Sequence, residues 1–250
     1  MSQTRQLAAS LEAATGEVLP WEGDRPPEGR RERWVHALAQ RLANFVVQKP
    51  RTETLRFGLV KTREELAAVG QMRLRVYRTK LPYLLQELSA DGTDSYDAHS
   101  FVFAAWRGDQ VVATLRATRY PYETLRYVPE PELSRWLERG WNTDYLEGGR
   151  LLVDAGPGFH RLSPALISYV GLHLFWLTAY RKFFAYSRPH AHRAFSGFLM
   201  EKNPLSFQIP HRGTHAYVLL KGDFLKGVVH ATPRWLATVA KGLLGTRHKP

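Results

Sequence analysis

The sequence predicts an α/β fold, a single mixed central sheet with helices on both faces, extended by an N-terminal helical segment and a C-terminal amphipathic tail. Three observations carry this. Strand-like and helix-like periodicities alternate irregularly, in the order β-α-β-β-(α)-β-α-β-α-β-β, which suits a mixed sheet and not a strict βαβ repeat. The runs Phe101–Trp106 and Val111–Thr118 flank a Gly108-Asp109 turn, the pattern of an antiparallel hairpin. The apolar run Tyr145–Asp154 passes through Gly156-Pro157-Gly158 into a long apolar helix, a strand-turn-helix unit that often holds phosphate.

Taken in order, residues 1–30 are polar and end in a proline- and charge-rich linker. From Glu32 to Gln48, Trp34, Leu38, Leu42 and Phe45 recur at helical spacing and predict an amphipathic accessory helix. A strand over Leu55–Val60 precedes Thr62, which with Glu65 three residues on forms a capping-box start for the next helix. That helix brings Arg73 and Tyr77 to one side. A loop or broken helix rich in acids, Leu81–Ser100, leads into the hairpin, followed by a short helix near Glu132–Glu138 and the strand Tyr145–Asp154. A helix over Ser163–Tyr180, a strand Lys182–Ser187, a helix Pro189–Met200 and late strands near Phe207–Ile209 and Ala216–Lys221 complete the expected core. The boundaries that follow are 1–50 for the extension, 51–225 for the main domain and 226–250 for the tail. In the tail, Trp235, Leu236, Val239 and Leu243 share a helical face, with Lys241, Arg247 and Lys249 adding charge.

The bulk composition narrows the function. With no cysteine, the chain has no disulfide, thiolate metal site or cysteine nucleophile. A net charge of +12 calls for an anionic partner. No helix-turn-helix, zinc or RNP pattern is present, so nucleic acid is not expected. His190, His192, His211 and His215 do not keep a ligand spacing, so no metal is expected. GxGxxG and P-loop motifs are absent. The N-terminus has no apolar signal region, which leads us to expect a cytoplasmic protein, with the tail peripheral to the inner membrane face.

Four short motifs then fall in order on the predicted elements: Arg73 with Tyr77 on the first core helix, Asp94-Ser95-Tyr96-Asp97 in the acidic loop, Leu115-Arg116 closing the hairpin, and Glu147-Gly148-Gly149-Arg150 on the following strand. Over roughly Leu55 to Phe224 the chain resembles the GNAT acyltransferase superfamily, and within it the acyl-homoserine-lactone synthases and N-acyl amino acid synthases. It departs from their pattern at Gly92, where the family has a further glutamate and Asp91 lies one place off. It departs again at Ala194-Phe195-Ser196, where the family's tyrosine acid is missing. The resemblance implies a GNAT-type N-acyltransferase that moves a long fatty acyl group from a thioester to an amine of an amino acid or peptide, as in lipopeptide and other natural-product biosynthesis. It implies catalytic roles for Glu147, Arg150, Asp94, Asp97, Arg73 and Arg116, with a buried ion network among the last four. It also implies a phosphopantetheine site at Leu152, Val153, Gly156, Gly158, His160 and Arg161. No permanently bound cofactor is implied, only an acyl carrier protein or acyl-CoA thioester as co-substrate. Pro157 removes one amide donor from the phosphate turn, which favours the single phosphate of a carrier-protein arm over coenzyme A.

The chemistry is consistent with these residue types. Amide formation from a thioester needs a base for the amine proton and donors for the developing oxyanion. Glu147 in an apolar strand is raised in pKa by burial and lowered by a neighbouring arginine. Read without the resemblance, Glu147 and Arg150 are an ordinary pair along a strand. The competing function is a non-enzymatic basic module on an anionic membrane surface or nucleic acid. A merged reading gives an enzyme with an acidic acyl carrier protein, an amine-bearing acceptor and an anionic membrane surface as partners.

Overall fold

The computed structural model describes residues 29–47, 53–156, 159–189, 198 and 200–231. Its first element is helix α1 (Arg30–Val46), which packs on the long helix that follows the central strand. Of the four residues of the expected stripe, only Leu42 packs against the main core. Val35, Ala39, Ala43 and Val46 are buried, while Trp34, Leu38 and Phe45 are exposed. Small side chains at the seam let two helix backbones approach closely, so the alanine face goes inward. Ala39, Ala43 and Val46 join the main core cluster, which makes α1 part of the domain and not an appendage.

Strand β1 (Arg56–Leu59) precedes α2 (Arg63–Lys80). Thr62 caps α2, its hydroxyl accepting the Glu65 amide at 3.2 Å, while the Glu65 carboxylate accepts the Lys61 amide at 2.7 Å. These bonds satisfy first-turn amides that no helical carbonyl reaches. The hairpin is β2 (Ser100–Arg107) and β3 (Gln110–Thr118), turned at Gly108 with φ 57°. Then come α3 (Glu130–Leu137), β4 (Tyr145–Val153), α4 (Leu162–Leu177), β5 (Lys182–Ser187), β6 (Glu201–Gln208) and β7 (Ala216–Asp223).

The sheet has seven strands in the order β1-β2-β3-β4-β5-β7-β6, and every pair is antiparallel except β4 with β5. The α2 helix covers one face through Val69, Met72 and Val76 against Val102, Ala104 and Trp106. On the other face lies α4, with Leu166, Tyr169 and Val170 packed on Phe103 and Leu115. The α/β class with helices on both faces is therefore observed.

The differences lie at the edges. Helix α4 stops at Leu177, with the Thr178 hydroxyl bonded back to the Leu174 carbonyl at 2.6 Å. Strand β6 begins at Glu201, well before Phe207. The expected boundary at 225/226 falls inside helical backbone at 224–231, where Phe224, Val228 and Ala231 are buried in the main cluster. Apart from Pro189, Phe198 and Met200, the expected helix Pro189–Met200 lies outside the described residues, as does the tail beyond Ala231.

Candidate active site

The site forms where β4 is irregular. Between Thr114↔Leu152 and Arg116↔Gly149 the pairing with β3 gains one residue on β4, a bulge absorbed at Arg150 with φ 51°. In a regular strand, positions three apart point to opposite faces. The bulge shifts that alternation, so Glu147, Arg150 and Arg116 all serve the α2 side of the sheet. Glu147 and Arg150 nevertheless do not pair with each other, contrary to the reading of E-x-x-R as an ion pair along the strand.

Arg150 instead reaches Asp94 (2.8 Å from Nη2, 2.9 Å from Nε) and Glu87 (2.9 Å from Nη1). Arg73 clamps Asp97 through both terminal nitrogens at 2.6 and 3.0 Å. Arg116 sits between Asp94 and Glu123, donating to each. Arg212, in the turn between β6 and β7, binds Glu87 twice at 2.6 Å and Glu123 at 3.1 Å. Its guanidinium lies 5.3 to 5.8 Å from the ring centres of Tyr127, Tyr186 and Tyr217. Tyr186 donates to Glu123 at 2.9 Å, and His211 Nε2 lies 2.5 Å from Glu87. Burial opposes the Glu87 charge, but Arg212, Arg150 and His211 outweigh it and hold its carboxyl at about 2. Burial likewise opposes the Asp94 charge, and Arg116 and Arg150 overcome it, so Asp94 lies well below the usual range.

Glu147 differs from these. It is 2% exposed, and among the described residues it makes no ion pair. Its carboxylate accepts from the Thr124 hydroxyl at 2.6 Å and the Thr124 amide at 3.1 Å. Burial, then the neighbouring Glu123 charge, push its carboxyl up to about 7 against the pull of Thr124 and Arg116. The balance of charge adds to the effect of burial. Arg73, Arg116, Arg150 and Arg212 are matched by Asp97, Asp94, Glu87 and Glu123, and Glu147 is the carboxylate left without a partner cation.

The residues beyond the sequence motifs are Glu87, Thr124, Glu123, Tyr186 and Arg212. Glu87 is a buried acid that pairs with Arg150 and Arg212 and that no sequence motif marks. Gly92 itself cannot carry a side chain, because at φ 86° a Cβ would lie 2.1 Å from the Gly70 carbonyl oxygen. Asp91 is spent on Thr93, at 2.7 Å to its hydroxyl and 3.0 Å to its amide.

Beside Glu147 the sheet opens. The β4–β5 pairing runs from Tyr145↔Lys182 to Gly148↔Ala185 and ends there. On the α4 side, Leu146 and Gly148, with Phe183, Ala185, Ile167 and Val170, line an apolar cavity of about 40 Å³. Leu152 and Val153 continue β4 beyond the parting. Gly156 has φ 77°, and Asp154 is tied to Arg75 and Lys80 at 2.9 and 3.3 Å. Gly158 lies outside the described residues. His160 is exposed, and Arg161, at φ 60°, occupies the N-cap of α4. Its Nη1 is buried without a hydrogen-bond partner among the described residues. No group of three His, Asp or Glu among the described residues is placed to hold a metal.

No protein-family model and no curated protein matches the chain. Solved structures do. BjaI, a CoA-dependent acyl-homoserine lactone synthase, aligns at a TM-score of 0.56 and 16% identity, over 73% of this chain and 89% of its own. MesI, also a CoA-dependent acyl-homoserine lactone synthase, aligns at 0.54 and 11% identity, over 73% and 95%. FeeM, an N-acyl amino acid synthase from uncultured soil microbes, aligns at 0.50 and 16% identity, over 74% and 93%. The fold is GNAT-like. Its solved neighbours include synthases that make N-acyl products.

Proposed function

We propose that the chain is a GNAT-type N-acyltransferase that transfers a fatty acyl group from a thioester to the amine of an amino acid or peptide side chain. The observation that carries this is Glu147: a buried carboxylate, pushed up to about 7, beside the point where two parallel strands part. A base with a pKa near working pH combines availability with proton affinity. The acceptor amine attacks the thioester carbonyl and forms the C–N bond. Glu147 takes the N–H proton, directly or through one water. The C–S bond breaks, and the sulfur leaves as the thiol once protonated. Backbone amides of β4 beyond Gly148 have no β5 ladder partner and suit the developing oxyanion.

The cleft relates the two faces. Leu146 and Gly148 point to the apolar cavity, and Glu147 points to the ion cluster. A thioester seated in the parting would point the first carbons of its acyl chain into the cavity and its carbonyl toward Glu147. The cluster of Arg73, Arg116, Arg150, Asp94 and Asp97 is rigid and positions the acceptor end. A phosphate on the donor arm fits the N-terminus of α4, with Gly156 turning the chain and Arg161 bringing a guanidinium. The donor we favour is an acidic acyl carrier protein, because the chain carries a net charge of +12.

The test is intact-mass detection of amide products after incubation with carrier-borne and CoA-borne acyl thioesters and a panel of amines. An amide formed by the wild type and lost in Glu147→Gln supports the reading. No product with any donor overturns it.

A further inference from the structure

We propose that the outer face of α1, together with the end of α4, docks on an anionic membrane surface. This does not depend on the acyltransfer reading. The observation is the inverted helix: α1 turns its small residues inward and leaves Trp34 57%, Leu38 40% and Phe45 39% exposed. These lie on one face, at spacings of four and seven residues. Trp34 meets Trp176, itself 37% exposed, edge to face at 6.3 Å. Phe175 adjoins Trp176, and Arg181 lies 5.0 Å over the Phe175 ring. Single exposed apolar residues are ordinary, but three large ones on one face, with exposed Arg41 between Leu38 and Phe45 and Trp176 beside Trp34, make an amphipathic interaction surface.

The charge around the stripe selects the occupant. Arg30, Arg31 and Arg41 are exposed on the same helix, and Arg181 is exposed beside the tryptophans. The acid on α1, Glu32, is turned aside to Lys61 at 3.8 Å. Tryptophan and phenylalanine with arginine at the rim is the composition of an interfacial helix, whose apolar side chains enter the headgroup boundary while its cations meet anionic lipid. A second copy of this chain fits poorly, because a two-fold contact sets the face against itself and its arginines against their own images. The tryptophan end of the face is set apart from the phosphate turn: Trp176 is fourteen residues beyond Leu162, about 21 Å along the helix from the end where Arg161 sits. Among the described residues no helix is long and apolar enough to cross a membrane, so the contact is one of surface docking.

The experiment is sedimentation of the full chain with vesicles of phosphatidylglycerol and phosphatidylcholine in equal parts, against phosphatidylcholine alone. Wild-type protein is expected to pellet with the anionic vesicles and to stay in solution with the neutral ones. Leu38→Ser with Phe45→Ser should weaken anionic binding at least tenfold while leaving thermal melting unchanged. Arg30→Gln, Arg31→Gln and Arg41→Gln should each weaken it roughly fivefold. These arginines are on the solvent side, so they keep the test valid if the apolar pair disturbs folding. Wild-type binding that survives all of these changes would assign the vesicle contact to another part of the chain and overturn the proposal. So would the absence of wild-type binding, a self-association that Leu38→Ser disperses, or retention of an acidic carrier protein that the same variants abolish.

Discussion

Glu147 owes its proton affinity first to burial and then to the neighbouring Glu123 charge, and two measurements follow from that. As a base it must be deprotonated, so kcat/KM should rise as pH increases through about 7 and then level off. Glu147→Gln keeps an oxygen for the Thr124 hydroxyl and amide, and should lower turnover by about 10²–10⁴-fold with no remaining rise near neutrality. The stability effect runs the other way. A carboxyl raised from 4.5 to about 7 holds in the folded state a proton that the unfolded chain has released, so stability falls as pH rises across that window. Above it the buried charge costs about 3 kcal/mol at most. Glu147→Gln should therefore be more stable than wild type in urea unfolding at pH 8, with the difference fading toward pH 5. An unchanged or lowered midpoint at pH 8 would refute the picture of a strained carboxylate. Glu147, Arg73, Arg116 and Asp94 were legible in the sequence through short motifs. Glu87, Glu123 and Arg212 were not. Arg212 meets Glu123 across 89 positions of chain, and no local pattern announces that pairing.

At the scale of elements, the bulge in β4 determines which residues meet. One extra residue at Arg150 moves its guanidinium into the cluster, where it bridges Asp94 and Glu87. Arg150→Ala would leave two buried carboxylates short of a partner, and should cost about 3–5 kcal/mol, read as a lowered urea midpoint. A loss below about 1 kcal/mol would mean that Arg116 and Arg212 suffice to hold the cluster. Gly148, on the other side of the bulge, offers a cleaner handle on specificity. A Cβ there would stand 3.6 Å from the Phe184 carbonyl oxygen and 3.7 Å from the Ala185 Cβ, ordinary contacts, and would point into the apolar cavity. Gly148→Ala should melt within a few degrees of wild type and shift the ratio of kcat/KM values toward shorter acyl chains. An unchanged chain-length profile would place the acyl group elsewhere. The hairpin and the α2 cap were readable because each rests on local spacing: Gly108 at the turn, Thr62 with Glu65 at the cap. The facing of α1 was not readable, because both of its sides are apolar. Periodicity finds a stripe but cannot tell a large stripe bound outward from a small one packed inward. The bulge is equally silent, since Gly149-Arg150 carries no sign of a left-handed arginine.

At the scale of the whole molecule, the ion cluster is close to neutral within itself, so the net charge of +12 arises outside it. That charge acts on the donor before any chemistry. An acidic carrier protein is a large polyanion and gains from the whole basic surface. A pantetheine thioester carries little charge and gains almost nothing from it, and coenzyme A gains chiefly near its phosphates. Screening separates these cases, because the Debye length shortens from about 30 Å at 0.01 M salt to about 8 Å at 0.15 M. If a carrier protein is the natural donor, raising salt across that range should increase its KM severalfold or more. The KM of the free pantetheine thioester should stay nearly constant, and kcat should change little for either, since rim charges act mainly on encounter. Coenzyme A donors should fall between. Equal salt sensitivity for all three, or a coenzyme A thioester with the highest kcat/KM at every salt concentration, would remove the carrier protein from the reading and leave the positive surface to other partners. The outer face of α1 would then be the first place to look, because Trp34, just beyond Arg30 and Arg31, meets Trp176 at the far end of α4 from Arg161.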